Sequence, residues 1–225
     1  MEKKKSGRLS RSITIFIVSF FIILGTAFSG FYYYNSKIIK KPNVAIQSQP
    51  GQVVRPFKFV NQEGDTITNK DIDGKIVVVE YFFTTCQGIC PIMNDNMVRV
   101  YNEFRGNDDV VILSHTVDPK RDDVETLKAY SMKYDADPKK WMFLTGDKKA
   151  LYDQAYYSYG LTTANELAEN IDEDFIHSNV FVLVDKHGRL RMHLNKEKNP
   201  VPYDGTDEES VARLIEDIHE VLTED

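Results

Sequence analysis

The most reactive side chains in this chain are its two cysteines, set four positions apart in Phe82-Phe83-Thr84-Thr85-Cys86-Gln87-Gly88-Ile89-Cys90-Pro91. If helical, residues at that spacing share one face, with Cα atoms ~6 Å apart. That is within reach of a disulfide, and it also lets two sulfurs converge on one ion. At a helix start, unpaired N–H groups and the positive helix end favour the thiolate. The pair therefore suits a redox couple, a clamp for a soft metal, or a structural disulfide. Only three residues separate the cysteines, so a structural bridge would close a very small loop and gain little. The spacing is not the Cys-x-x-Cys of common dithiol oxidoreductases.

A metal held by two thiolates needs more ligands. The histidines are His115, His177, His187, His193 and His219. His187 falls in a turn and His219 in a terminal helix, both expected to be solvated. His193 lies in an outer strand with no partner suggested. His115 sits inside VVILSHTVD and reads as a packed core histidine. His177 differs: it closes an acidic irregular stretch and immediately precedes the strand SNVFVLV. Two thiolates and a neutral imidazole suit Cu(I), and Cu(II) remains open; zinc would ordinarily ask for a fourth ligand. Met93 and Met97 follow the cysteines and read as core packing rather than thioether ligands.

The elements that must position these groups follow from the hydrophobic pattern. A hairpin is expected at 57–60 and 66–68, then a continuous β-branched and aromatic strand over 76–83. A helix over 91–104 follows, then a strand over 110–117, an acid-led helix to about 134, a strand at 141–144 and a helix over 147–159. Residues 160–175 lack periodicity and read as an irregular loop. Asp185-Lys186-His187-Gly188 joins a hairpin of 180–184 and 190–194, and 208–222 forms a final amphipathic helix. Strands alternating with helices predict an α/β fold with a mixed central sheet and flanking helices. A strand, a cysteine loop and a helix near its start point to a thioredoxin-like fold. In that fold the junction before the 180–184 strand faces the cysteine loop; thioredoxins carry a proline there, and this chain has Ile176-His177-Ser178.

The chain has 225 residues, 42% of them apolar and 28% charged, with a net charge of −6. These values exclude wholesale disorder and a polytopic membrane protein, and there is no basic surplus for nucleic acid. The charge is divided unevenly. Residues 1–41 hold eight basic residues and one acid, which leaves a net charge of −13 on the remainder. No charge lies between Arg11 and Lys37, a 25-residue interval of roughly 37 Å as a helix, enough to span a bilayer core of about 30 Å. The expected organisation is a basic cytoplasmic N-terminus over 1–11, a transmembrane anchor over 12–36, a linker over 37–51 and an exported domain over 52–225. A cleaved signal peptide is the alternative for the first segment. Either way the domain reaches a compartment that permits disulfides.

The sequence resembles the Sco/SenC family of copper-binding assembly proteins for cytochrome c oxidase. The matching pieces are Thr85-Cys86-Gln87-Gly88-Ile89-Cys90-Pro91, Thr116-Val117-Asp118-Pro119-Lys120-Arg121-Asp122, Trp141-Met142-Phe143-Leu144-Thr145-Gly146, and His177 followed by a strand and the Asp185-Lys186-His187-Gly188 turn. The resemblance implies a thioredoxin-like fold and one copper ion, Cu(I) or Cu(II), held by Cys86, Cys90 and His177. It implies a metallochaperone that helps build the binuclear copper site of oxidase subunit II, by delivering copper or by reducing that site's cysteines. The copper donor is unspecified. Asp118 matches an acid near the family's metal site, and it either supports that site or only caps the following helix. His115 and the 160–175 loop depart from the family pattern.

Overall fold

The computed structural model describes residues 11–38, 44–46, 53–161 and 178–224, and the chain falls into two units, 1–42 and 43–225. The first holds α1 (Arg11–Ile38), whose described side chains are exposed and include Ile13, Phe16, Phe20, Phe21, Ile22 and Leu24. Among the described residues no helix is long and apolar enough to cross a membrane, so the anchor expected over 12–36 is not shown.

The second unit carries, in order, β1 (Val44–Ile46), β2 (Lys58–Val60), β3 (Thr66–Thr68), α2 (Asn69–Ile72), β4 (Ile76–Phe82), α3 (Ile89–Phe104), β5 (Val110–Thr116), α4 (Val124–Ser131), β6 (Trp141–Leu144), α5 (Lys148–Tyr159), β7 (Val180–Val184), β8 (Leu190–Leu194), β9 (Pro200–Val201), β10 (Tyr203–Asp204) and α6 (Glu208–Leu222). The main sheet runs β1-β8-β7-β4-β5-β6, with β9 beside β8 and β10 beside β7; β2 and β3 form a separate hairpin. β4, β5 and β6 are parallel, and β7 returns antiparallel to β4. The α/β, mixed-sheet, thioredoxin-like expectation is met.

β4 and β5 are buried at every position, as expected for parallel strands covered on both faces. On one face Val78, Phe82, Ile112 and Phe143 pack under Met93, Met97 and Val100 of α3, Leu127 of α4 and Leu214 and Ile218 of α6. On the other, Val77, Val79, Tyr81 and Leu113 meet Leu151 and Ala155 of α5 and Phe59 of β2. Met93 and Met97 are fully enclosed, which confirms them as packing residues.

The stretch expected to be a linker contributes β1, which pairs with β8 through Ala45 and Met192. The irregular loop expected over 160–175 lies, from 162 onward, outside the described residues, and so does His177.

Candidate functional site

The cysteine loop leaves the sheet at Phe82 and enters α3 at Ile89. The pair does not lie on one helical face as its spacing suggested. Cys86 sits in the turn before α3, where its N–H donates to the Phe83 carbonyl at 3.2 Å, and only Cys90 is inside the helix.

The local sequence explains this placement. Helices α2, α4, α5 and α6 begin with side-chain caps from Thr68, Asp123, Asp147 and Asp207. α3 begins at Gly88, which has no side chain to offer, and Pro91 in its first turn brings no N–H. Cys86 stands before this open end, where the Cys90 thiol and the backbone amides of Cys90, Gly88 and Ile89 favour its anionic form. Partial burial opposes ionisation of Cys86, but these donors outweigh it and hold the thiol below its ordinary value.

Cys90 is the opposite case. It is 3% exposed, and burial, its bond to Cys86 and the charges of Cys86 and Glu80 push its thiol up to about 12, against a lowering from the Phe83 backbone. Both cysteines are free thiols. An accessible sulfur that ionises readily beside a buried one that keeps its proton is a serviceable attacking and resolving pair. It is also a soft donor pair.

Two acids near the pair were missed in the sequence reading. Glu80 of β4 is fully enclosed. Its Oε1 accepts from the Ser114 hydroxyl at 2.5 Å, which in turn accepts from the Trp141 indole N–H at 2.8 Å, while Oε2 has no partner among the described residues. Burial raises the carboxyl to about 7 although the Ser114 bond pulls it down. A lone acid in an otherwise apolar strand was the available signal, since a buried charge is costly.

Asp122 is also fully enclosed. Its Oδ2 accepts from the Thr84 N–H at 3.2 Å and from the Thr116 hydroxyl at 2.5 Å, and its Oδ1 accepts from the Thr84 hydroxyl. Asp118, the acid singled out from sequence, is 8% exposed and pairs with Arg121 at 3.5 Å. Its carbonyl accepts the N–H groups of Arg121 and Asp122, and the cap of α4 is Asp123 instead.

The other histidines separate cleanly. His115 is fully buried, stacked on Tyr81 with ring centroids 5.0 Å apart and met edge-on by Phe59, with neither ring nitrogen bonded among the described residues. Burial lowers it to about 3, so it stays a neutral core group. His193 has a partner that the sequence did not suggest, Asp217 at 2.9 Å, which also accepts from Tyr203. His219 bonds Glu103 on the surface, and His187 is exposed. Among the described residues no three His, Cys, Asp or Glu side chains gather as a metal site. The pairing of β7 with β4, Val182 opposite Val79, directs the start of β7 toward the end of β4 from which the cysteine loop departs.

Comparison with known proteins adds family context. A family model described as SCO1/SenC matches residues 45–209. The SCO1 protein homolog of Bacillus subtilis is 31% identical over 153 residues, covering 67% of this chain and 77% of that protein. Among solved structures, BsSco, described as having a disulfide switch and as a member of the Sco family of cytochrome c oxidase assembly proteins, is 25% identical with a TM-score of 0.62, covering 80% of this chain and 99% of that one. Yeast Sco1 with copper bound is 25% identical with a TM-score of 0.52, covering 73% and 87%.

Proposed function

This chain belongs to the SCO1/SenC family, and on that footing we propose that it is a membrane-anchored copper chaperone. It binds one copper ion through Cys86, Cys90 and His177 and assists assembly of the binuclear copper site of cytochrome c oxidase. The observation that carries this reading is the pair of reduced, unequal sulfurs at the uncapped start of α3. The donors fit the ion: the Cys86 thiol is lowered toward the thiolate, and two thiolates with an imidazole are a soft set that suits Cu(I). Copper itself is the cargo. The chain's own residues lower the Cys86 thiol through the first amides of α3, keep Cys90 out of water, and set one sulfur just before the helix and the other in its first turn. Support for His177 is topological, since it lies three residues before a strand that runs antiparallel beside β4. The copper-bound yeast relative and the description of BsSco support the cargo and the assembly role. Oxidase subunit II would be the recipient, and an unidentified donor would load the ion.

The anchor is part of the same proposal. Residues 12–36 carry no charge, and the apolar side chains of α1 from Ile13 to Phe31 are exposed. The Ser19 and Thr26 hydroxyls bond back to the carbonyls of Phe16 and Ile23 at 2.9 Å, which leaves both satisfied in hydrocarbon. Basic residues before the span orient the N-terminus to the cytoplasm and the 52–225 domain to the exported side.

The thiol asymmetry favours one second reading, reduction of a partner's disulfide. Cys86 attacks one partner sulfur and releases the other as thiolate. Cys90 then displaces the first, which leaves a Cys86–Cys90 disulfide and two partner thiols.

A competition titration of the reduced full chain in detergent with Cu(I) tests the first reading. One equivalent binds the native chain, and His177→Ala weakens binding at least ~10-fold. Unchanged affinity removes His177 from the ligand set. Rapid metal-free reduction of a disulfide peptide, with no Cu(I) bound in the titration, selects the second reading.

A further inference from the structure

The cysteine loop has two ends, and each is fixed differently. The Cys90 end is locked by α3, whose Met93 and Met97 are wholly enclosed. The Cys86 end begins at Thr84, two residues earlier, and what holds it there is a carboxylate from a different part of the chain. Both donors of Thr84, its N–H and its hydroxyl, bond Asp122, 38 positions away. The same carboxylate takes the Thr116 hydroxyl at 2.5 Å, at the last residue of β5. Thr116 serves twice, since its oxygen also accepts the Asp118 N–H at 2.9 Å. Asp122 is itself fixed by its N–H to the Asp118 carbonyl at 2.9 Å and by its neighbour Asp123, which caps α4 through Thr126.

We propose that Asp122 is a positioning residue for the cysteine pair: its enclosed carboxylate moors the Thr84 end of the loop to the end of β5 and thereby sets how closely the two sulfurs are held. This rests on the reading of Cys86 and Cys90 as the reactive pair. A carboxylate removed from water is expensive unless its oxygens are bonded, so the cluster is held tightly or not at all. Asp122 touches neither sulfur. Its effect is on their effective concentration, the quantity that governs how readily two thiols close into a disulfide.

The test reads that quantity with metal absent. Full-length chain in detergent is equilibrated with reduced and oxidised glutathione. Two glutathione thiols open the Cys86–Cys90 disulfide, giving the dithiol and one glutathione disulfide, and thiol trapping counts the fraction oxidised. Asp122→Ala should lower the constant for forming the internal disulfide by ~10-fold, which is about 30 mV less negative for a two-electron couple. Thr84→Val should lower it several-fold, and the double variant should be no worse than Asp122→Ala, because both act through one bond cluster. Asp122→Asn keeps one acceptor for the Thr84 N–H and should fall between native and Ala. A thermal midpoint that drops in Asp122→Ala with an unmoved disulfide constant would show a merely structural role and overturn the inference. If Asp122→Ala does not fold, Thr84→Val decides the matter, and an unmoved constant in it overturns the inference as well. A parallel Cu(I) titration of the native chain keeps the two readings apart: no binding there sinks the copper reading while the disulfide constants still judge the mooring.

Discussion

Glu80 and His115 occupy neighbouring central strands, Glu80 paired in register with Ser114 and His115 with Tyr81, and their side chains point to opposite faces. Their burial acts on stability with opposite signs. The carboxyl of Glu80 is raised from 4.5 to about 7 by desolvation. As pH climbs through that window the unfolded chain loses a proton that the folded chain keeps, so stability falls, by up to about 3 kcal/mol. His115 is lowered from 6.5 to about 3 by desolvation. As pH drops below 6.5 the unfolded chain gains a proton that the folded chain refuses, so stability falls toward acid, by up to about 5 kcal/mol. Glu80→Gln should therefore abolish the loss between pH 4.5 and about 7, and His115→Phe should abolish the loss between pH 6.5 and about 3. Denaturant midpoints measured across pH check both, and parallel profiles for native and variant would refute the assignment. His115 was legible as a packed core residue, whereas Glu80 was not singled out. The strand patterns VVVEYF and VVILSHT say that a polar residue is buried, but not which face it takes or whether it finds a partner, because those depend on pairing between segments far apart in sequence.

Elements show the same division between local and non-local information. The long strands and helices were legible because burial on one or both faces imposes a period of 2 or 3.6, or a continuous apolar run. β1, β9 and β10 were not: unlike the equally short β2 and β3, which pair with each other across the 61–65 turn, they exist only through partners such as His193 for Val201. The cysteine loop was legible as a loop before a helix, yet its details turned on the missing cap at Gly88. The turn at Gly205 is another junction that sequence alone does not mark. Its carbonyl accepts from Asn96 of α3 at 2.9 Å, and its N–H donates to the Asn179 carbonyl at 2.6 Å, just before β7. A Cβ there would stand 2.6 Å from the Phe181 ring. Gly205→Ala should cost ~1–3 kcal/mol by overpacking, read by urea unfolding; an unchanged midpoint would mean that the ring swings aside freely.

At the scale of the whole molecule the chain is divided by charge and by hydropathy. The first 41 residues are basic around an uncharged interval, and the rest carries −13. If α1 anchors the chain, the native protein should stay with the membrane pellet after alkaline carbonate extraction, and replacing Ile22 and Ile23 with Lys should release it; release of the native chain would leave no anchor. A tethered domain searches only the volume its leash allows and meets its recipient at a high effective concentration. On the proposed function that recipient would meet the open end of α3, whose first amides favour a thiolate at Cys86. A disulfide at Cys86 takes away the negative charge those amides favour, whereas a soft cation bound there keeps the sulfur as thiolate. On the proposed function, a docking protein would then tell a laden carrier from an oxidised one by whether the tip of α3 still faces an anion.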